Sequence, residues 1–495
     1  MLNGSTFIRR ELMIRIVRAF DSGSLESEID QIPVKLRPKN ERASRCCVYH
    51  DRAILKYRLM ALLGISVEDE TDETKPLSAY YAEKAWSSPD GGTAKPKTPL
   101  SVCGPACSGC PDAQVVSTQN CRGCFARPCM YNCPKKAIEV VDGHSVIDQK
   151  LCIKCGKCIA ACPYNAIVKT TVPCEEACPV GAIKKNSFGV AEIDFEKCIF
   201  CGKCFNACPV GAIRKNDQGV AEIDFEKCIF CGKCFAACPF AAVMERSQLV
   251  DVLAAMKRGE KLVAMIAPAA EKQFPGKIEQ LLSACAKAGF ADVMEVALGA
   301  EMTTEHETAE FIERMEKDQK TFMTTSCCPA WVNLVGKHMP DLVNHVSLTP
   351  SPMVYAHEIA KKKDPSAKTV FIGPCVAKRS EARRKDVDYV LSFEELGAIL
   401  AGRKIDVIAC EPWPVERPAN PTARNYARSC GVTDAVLAEA TAKIPGFKLD
   451  AKQINGIDRK TCAMVKLYAA GKLPVNFLEV MACPGGCQNG PCSLT

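Results

Sequence analysis

Apolar side chains keep a four-residue spacing in T-F-I-R-R-E-L-M-I-R-I-V-R-A-F. Ile8, Leu12, Ile16 and Phe20 fall on one face, which predicts a helix near the start of the chain. A second helix is predicted in A-I-L-K-Y-R-L-M-A-L-L-G, closed by Gly64. Residues 1–70 thus read as a helical segment. Residues 71–100 lose the period, turn rich in Pro, Gly, Ser and Lys, and read as a linker. Between 101 and 244 hydrophobic periodicity gives way to cysteine. From 245 to 495 it returns in a different form. K-L-V-A-M-I-A-P-A-A and K-T-V-F-I-G-P-C predict buried strands, and K-I-E-Q-L-L-S-A-C-A-K-A-G predicts a helix closed by glycine. Alternating strand and helix predicts an α/β domain, with chemistry gathered where strands end and loops begin.

The cysteines change the picture. There are 33 in 495 residues, most of them in C-x-x-C-x-x-C-x-x-x-C-P runs, the spacing that wraps a loop around an iron–sulfur cube. A disulfide scaffold has no need of that spacing. The triads are Cys121/Cys124/Cys129, Cys152/Cys155/Cys158, Cys198/Cys201/Cys204 and Cys228/Cys231/Cys234, each followed by a Cys-Pro at Cys133, Cys162, Cys208 or Cys238. The fourth cysteine of such a run serves the other cluster of a pair. Residues 101–170 therefore read as a two-cluster α+β ferredoxin-like domain, with Cys162 completing the first triad and Cys133 the second.

Residues 171–244 contain a tandem duplication. K-N-S-F-G-V-A-E-I-D-F-E-K-C-I-F-C-G-K-C-F-N-A-C-P recurs almost unchanged 30 positions later. Here Cys208 is assigned to the Cys228 triad. The Cys198 triad takes either Cys238 or Cys178, and the sequence leaves both open. About four clusters are expected in this ferredoxin-like region. Cys103, Cys107 and Cys110 either bind one more with Cys46 or Cys47, or are plain thiols.

Charge adds little. The formal +7 would suit nucleic acid, but an oxidised cube with four thiolates carries roughly −2. Four or five cubes would cancel about 8 to 10 charges, so no nucleic-acid partner is expected. No stretch approaches the roughly 18 apolar residues of a membrane span. Charges in M-L-N-G-S-T-F-I-R-R-E-L sit where a signal peptide needs its apolar run. The expectation is a cytoplasmic protein without membrane contact.

Three strings carry the most specific chemistry: T-S-C-C-P-A-W at 325–331, G-P-C-V-A-K-R-S-E at 373–381 and E-V-M-A-C-P-G-G-C at 479–487. Only a folded domain can bring Cys327, Cys328, Cys375, Cys483 and Cys487 together. Gathered thiolates suit soft iron, and the small residues around them let backbone approach an inorganic group. In this order the strings resemble the signature motifs of the iron-only (FeFe) hydrogenases, in the shorter branch with G-P-C in its second motif. The resemblance covers nearly the whole chain. It implies an α/β hydrogenase catalytic domain preceded by the ferredoxin-like units and the helical N-terminal segment.

The resemblance also implies roles. Cys328, Cys375, Cys483 and Cys487 would hold a 4Fe-4S cube, with Cys487 bridging to a di-iron unit that carries carbon monoxide, cyanide and a dithiolate. The residues alone also allow a plain 4Fe-4S site. Cys327, adjacent and spare, would be the terminal proton donor and acceptor, against the blander reading of a small buried side chain. Lys378 would bond a cyanide, against a surface lysine. Met481 would pack on the di-iron unit, against ordinary core packing, and Glu381 would order the second motif. Glu307, Glu310 and Arg314 lie at i, i+3 and i+7 on one helical face. With Ser347 they match the family's carboxylate–serine relay, against a solvated charged face. Gly373 replaces the methionine of the better-known branch, which predicts a more open pocket wall, and the third motif ends N-G-P-C. The implied activity is reversible interconversion of protons, electrons and hydrogen. Ferredoxin or a similar soluble carrier is the implied partner, and hydrogenase maturation proteins would supply the di-iron unit. The alternatives are a hydrogen-sensing relative of low turnover and a non-catalytic iron–sulfur assembly protein.

Overall fold

The computed structural model describes residues 4–40, 47–67, 70, 72–84, 98–106, 114–153, 155–170, 183–185, 191–193, 210, 212–215, 221–237, 243–317, 322–472 and 475–494. Cys46, Cys107, Cys110, Cys174, Cys178, Cys198, Cys201, Cys204, Cys208 and Cys238 lie outside the described residues, so the choice between Cys238 and Cys178 falls there too. The chain forms two compact units, one of residues 1–107, 207–214 and 222–495, the other of 108–206 and 215–221. None of the described helices is long and apolar enough to cross a membrane.

The core of the larger unit is a four-stranded parallel sheet in the order Asp292–Glu295, Leu262–Ile266, Lys368–Ile372, Tyr389–Leu391. The two apolar runs in the sequence are its central strands. Leu262–Ile266 is buried at every position, the pattern of a parallel strand covered on both faces. A second parallel sheet orders Met323–Thr324, Phe477–Met481 and Ala451–Asn455. The cysteines of each motif string follow the carboxyl end of a strand: Met323–Thr324 leads to Cys327, Lys368–Ile372 to Cys375 and Phe477–Met481 to Cys483. Proline then fixes what comes next. Cys328 caps helix Pro329–His338, with Pro329 in its first turn, where a missing N–H costs nothing.

The predicted N-terminal helices are Gly4–Asp21 and Val48–Leu62, and Leu12, Ile16 and Phe20 are buried in the main core. Within the stretch read as a linker, Leu77–Glu83 is helical. The first helix is fastened by charge as well as by packing. Arg9 and Arg10 pair with the buried carboxylate of Glu394 at 2.5 and 3.1 Å, and Arg10 Nη2 donates to Leu494 O at 3.1 Å. Alongside, buried Arg379 bonds Glu395 at 2.6 Å and Glu245 at 3.2 Å, and Cys492 Sγ donates to Glu245 at 3.3 Å. A buried charge tolerates such a place only when paired.

The smaller unit repeats one pattern twice. Strands Gln114–Ser117 and Ile167–Thr170 pair antiparallel, as do Ile138–Val141 and His144–Ile147. Short helices Pro128–Tyr131 and Lys157–Ala161 carry Cys129 and Cys158, both buried. The fourth cysteines occupy equivalent places: Ala137 N–H donates to Cys133 Sγ at 3.3 Å and Ala166 N–H to Cys162 Sγ at 3.4 Å. Cys121 is primed as a thiolate. N–H groups of Ser145 and Gly123 and the side chains of His144 and Ser117 bring its pKa down to about 6.

Candidate functional site

The three strand ends of the larger unit meet around a cavity of about 90 Å³. Cys327 and Cys328 of the first string, Cys375 and Lys378 of the second, and Met481, Cys483 and Cys487 of the third all line it. Trp331, fully buried, anchors the first string by donating its indole N–H to Thr324 Oγ1 at 3.0 Å. Cys231 also lines this cavity. The sequence reading placed it only in an outlying cluster, but its loop reaches the site.

These thiols suit a cluster better than isolation. Burial, with repulsion from the neighbouring Cys328 sulfur, pushes Cys375 up to about 11 and Cys487 up to about 12. Cys483 is raised well above the ordinary thiol range by burial and by Cys375, Cys487 and Cys328. Thiols that resist ionising together need compensating positive charge, which iron supplies on ligation. Among the described residues no three His, Cys, Asp or Glu side chains are placed to hold a single metal ion. The thiols instead ring a cavity, a donor set that fits a cube better than one ion.

In the smaller unit Cys124 and Cys129 are expected as iron ligands beside Cys121 and Cys162. Cys124 is half-buried, and Cys129 Sγ lies 3.4 Å from Ser145 Oγ. A cube takes each thiolate on a different iron, so its ligands stand around a volume and need not converge on one point. In the second predicted set Cys133, Cys152, Cys155 and Cys158 line one small cavity.

Lys378 is buried. Its ammonium donates to Glu381 Oε2 at 2.6 Å, Ser351 Oγ at 2.8 Å and Cys327 O at 3.4 Å. The Glu381 pair holds it charged against burial, and the same bond ties Glu381 into the second string, as the sequence suggested. Ser351 had no signal in the sequence. Gly373 corrects another expectation: the wall beside it is not open. A Cβ there would lie 2.7 Å from the Phe371 ring and 3.1 Å from Ala267 Cβ, so the phenylalanine occupies the space that the glycine vacates. Phe371 lines the cavity, as does Tyr426. Tyr426 comes from a distant helical turn, and its hydroxyl pairs with Thr304 Oγ1 at 3.1 Å.

Helix Ala297–Lys317 carries the predicted carboxylates. Glu307 is 0% exposed, so its part of the face is not solvated. Ser326 N–H donates to its Oε1 at 3.3 Å, and its Oε2 is buried with no hydrogen-bond partner among the described residues. Burial pushes its pKa up to about 8. Glu307 therefore carries its proton at neutral pH and gives it up as pH rises through that value. Glu310 behaves oppositely. Burial raises it, but the Leu348 N–H, the Ser347 and Thr349 hydroxyls and Arg314 outweigh burial and lower it. Ser347 Oγ donates to Glu310 at 2.7 Å and Arg314 Nη2 at 2.5 Å. The Ser347 hydroxyl also acts on Glu307, so it stands near both carboxyls. Glu479, the first residue of the third string, accepts from Cys430 N–H and Thr433 N–H at 2.8 Å each.

Residues 260–491 match the model of the iron only hydrogenase large subunit, C-terminal domain. This chain is an iron-only hydrogenase-like protein. Residues 151–212 and 197–242 of the hydrogenase-like chain also match a 4Fe-4S dicluster domain. It is 27% identical over 418 residues to iron hydrogenase 1 of Clostridium pasteurianum, covering 72% of this chain and 66% of that one. It is 30% identical over 260 residues to the periplasmic Fe hydrogenase large subunit of Nitratidesulfovibrio vulgaris, covering 43% and 61%. The cytosolic Fe-S cluster assembly factor narfl of Danio rerio is 24% identical over 265 residues, covering 41% and 62%. These matches span at most 66% of the relatives' own lengths.

Proposed function

We propose that this hydrogenase-like protein is a ferredoxin-linked hydrogenase of the cytoplasm, interconverting protons plus electrons and molecular hydrogen. One observation carries the reading: three strings far apart in sequence bring five thiols, one ammonium and one thioether to a single small cavity. Cys328, Cys375, Cys483 and Cys487 would hold a 4Fe-4S cube. A di-iron unit joined through Cys487 and delivered by maturation proteins would supply the hydrogen chemistry when bound. Cys327, not needed as a ligand, would pass protons at its Sγ. Lys378 would present a fixed positive charge to anionic ligands in the cavity, held there by Glu381 and Ser351. Glu307, protonated at neutral pH, would exchange protons with Cys327, and Ser347, Glu310 and Arg314 would continue the path outward. Cys121, Cys124 and Cys129 with Cys162, the Cys152 triad with Cys133, and the Cys228 triad would hold the relay clusters.

The assembly-factor relative favours a second reading, a non-catalytic iron–sulfur protein. Infrared spectroscopy on anaerobically matured protein separates the two. Metal carbonyl and cyanide bands together with hydrogen evolution are expected. Iron accounted for by cubes alone, with no such bands, would favour the assembly reading. Cys327→Ser should keep the bands and lose most turnover, because a hydroxyl is far too weak an acid to replace the thiol. Full turnover in that variant would take Cys327 off the proton path.

A further inference from the structure

A second cleft, of about 360 Å³, lies in the larger unit beside the loop of the Cys228 triad, lined among others by Phe230, Lys337, Arg379, Arg383, Arg384 and Asp388. Two of its charges are already matched. Arg379 is spent on Glu395 and Glu245, and Asp388 pairs with Lys361 and Lys368 at 3.3 Å each. Lys337 and Arg384 bond neutral oxygens instead. Lys337 Nζ donates to the carbonyls of Phe225 at 2.8 Å and Cys228 at 2.9 Å, and Arg384 Nη1 donates to Asn333 Oδ1 at 2.7 Å. Those bonds fix the two cations without cancelling them. Lys337, Arg383 and Arg384 are all exposed.

The same cations are tied to the cluster loop. Asn333, which holds Arg384, donates to Ile229 O at 3.3 Å. Lys337 Nζ lies 5.1 Å from the Phe230 ring centroid. Phe230 itself sits at φ +59°, a left-handed conformation that costs a bulky residue roughly 1–2 kcal/mol and that surrounding contacts must hold. The result is a concave, net-positive surface whose lining includes Phe230, the residue between Ile229 and Cys231 of the triad loop. A cleft of one sign of charge raises the local concentration of an oppositely charged partner and orients it.

We propose that this cleft is the docking surface for an acidic, ferredoxin-like electron-carrier protein, bringing the carrier directly to the Cys228–Cys234 loop. The proposal rests on the ferredoxin-linked reading above and adds where on the chain the carrier engages. An oxidised, acidic two-cluster bacterial ferredoxin is titrated calorimetrically into the iron-loaded protein at low and high salt. Wild-type affinity should fall steeply with salt. Arg383→Glu/Arg384→Glu should weaken binding at low salt by roughly ten-fold or more and flatten the salt dependence. Iron content and hydrogen turnover with a small viologen reductant should not change. The milder Arg383→Gln/Arg384→Gln pair, which cannot repel the partner, should lose a smaller share of the affinity and covers the case in which charge reversal disturbs the fold. Binding by both variants with wild-type strength and salt slope overturns the proposal while leaving ferredoxin as carrier. Failure of the wild type to bind ferredoxin at all overturns the carrier reading and this site together, whereas viologen-driven turnover would still uphold the hydrogenase.

Discussion

The same string, C-I-x-C-G-K-C, is set in two different surroundings. In the smaller unit, at Cys152–Cys158, Leu151 is 52% and Ile153 55% exposed, and a Cβ on Gly156 would meet nothing within 4 Å. In the larger unit, at Cys228–Cys234, Ile229 is 1% and Phe230 8% exposed, and a Cβ on Gly232 would lie 2.5 Å from Pro491 Cγ. Both glycines adopt positive φ, +78° and +71°, so both serve the turn. Only Gly232 also permits a close approach. The ligand spacing dictates the loop, and the packing around it decides what the loop does: one copy faces outward, and the other is pressed against the walls of the cavity ringed by the motif cysteines, where Cys231 contributes a side chain. Cluster potential follows burial and hydrogen bonding to sulfur, so a shared ligand spacing need not give a shared potential.

Thiol chemistry tests the contrast most sharply. In metal-free protein at pH 7, iodoacetamide should label Cys121, with its pKa of about 6, on the order of a hundred-fold faster than Cys375, with its pKa of about 11. Cys375 should catch up at about pH 9, because its thiolate fraction rises ten-fold per pH unit while Cys121 is already ionised. Mass spectrometry of quenched samples reads both rates, and equal labelling at neutral pH would dissolve the difference between the two regions. A smaller effect is expected in electron delivery. Cys231→Ala should lower ferredoxin-driven turnover roughly ten-fold more than Cys155→Ala, while hydrogen–deuterium exchange at the active site, which needs no external electron, should survive in both. Similar losses would mean that the buried loop has no privileged role. The smallest effect concerns the glycines. Gly156→Ala should cost about 1 kcal/mol for its positive φ, and Gly232→Ala about 1–3 kcal/mol more, because Pro491 must move. Denaturant unfolding of the two variants measures the gap.

Much of this was legible in the chain. Apolar runs revealed the central strands, because a parallel strand covered on both faces leaves no room for polar positions. The motif strings told which strand ends would meet. Glu307 was found by helical spacing, but its burial was not, since a 3.6-residue period names a face and not what covers it. Phe371 filling the space beside Gly373 was also invisible. Both belong to one short segment, yet the sequence does not say that the ring folds back. Ser351 and Tyr426 lie outside any motif and reach the site only through tertiary packing. The spacing of Cys124 and Cys129 named a loop but could not show that Ser145, on a neighbouring strand, stands within reach of the Cys129 thiol. Cys231 was read as a cysteine of a cluster loop, but its neighbours were not, because ligand spacing is indifferent to what lies outside the loop.

The ion pairs of the first helix carry a consequence for biosynthesis. Arg10 waits for Glu394, 384 residues later, and then for the carbonyl of Leu494. At about 5–20 residues per second, a ribosome needs roughly 20–80 s to make the first of these partners. For that interval two arginines destined for a buried carboxylate have none, so the helix cannot settle in its native seat. The ferredoxin-like loops, whose ligands are close in sequence, face no such delay. Local cluster loops would be complete on the nascent chain well before the segment carrying Cys483 and Cys487 emerges, and the cavity would be the last part of the molecule to close.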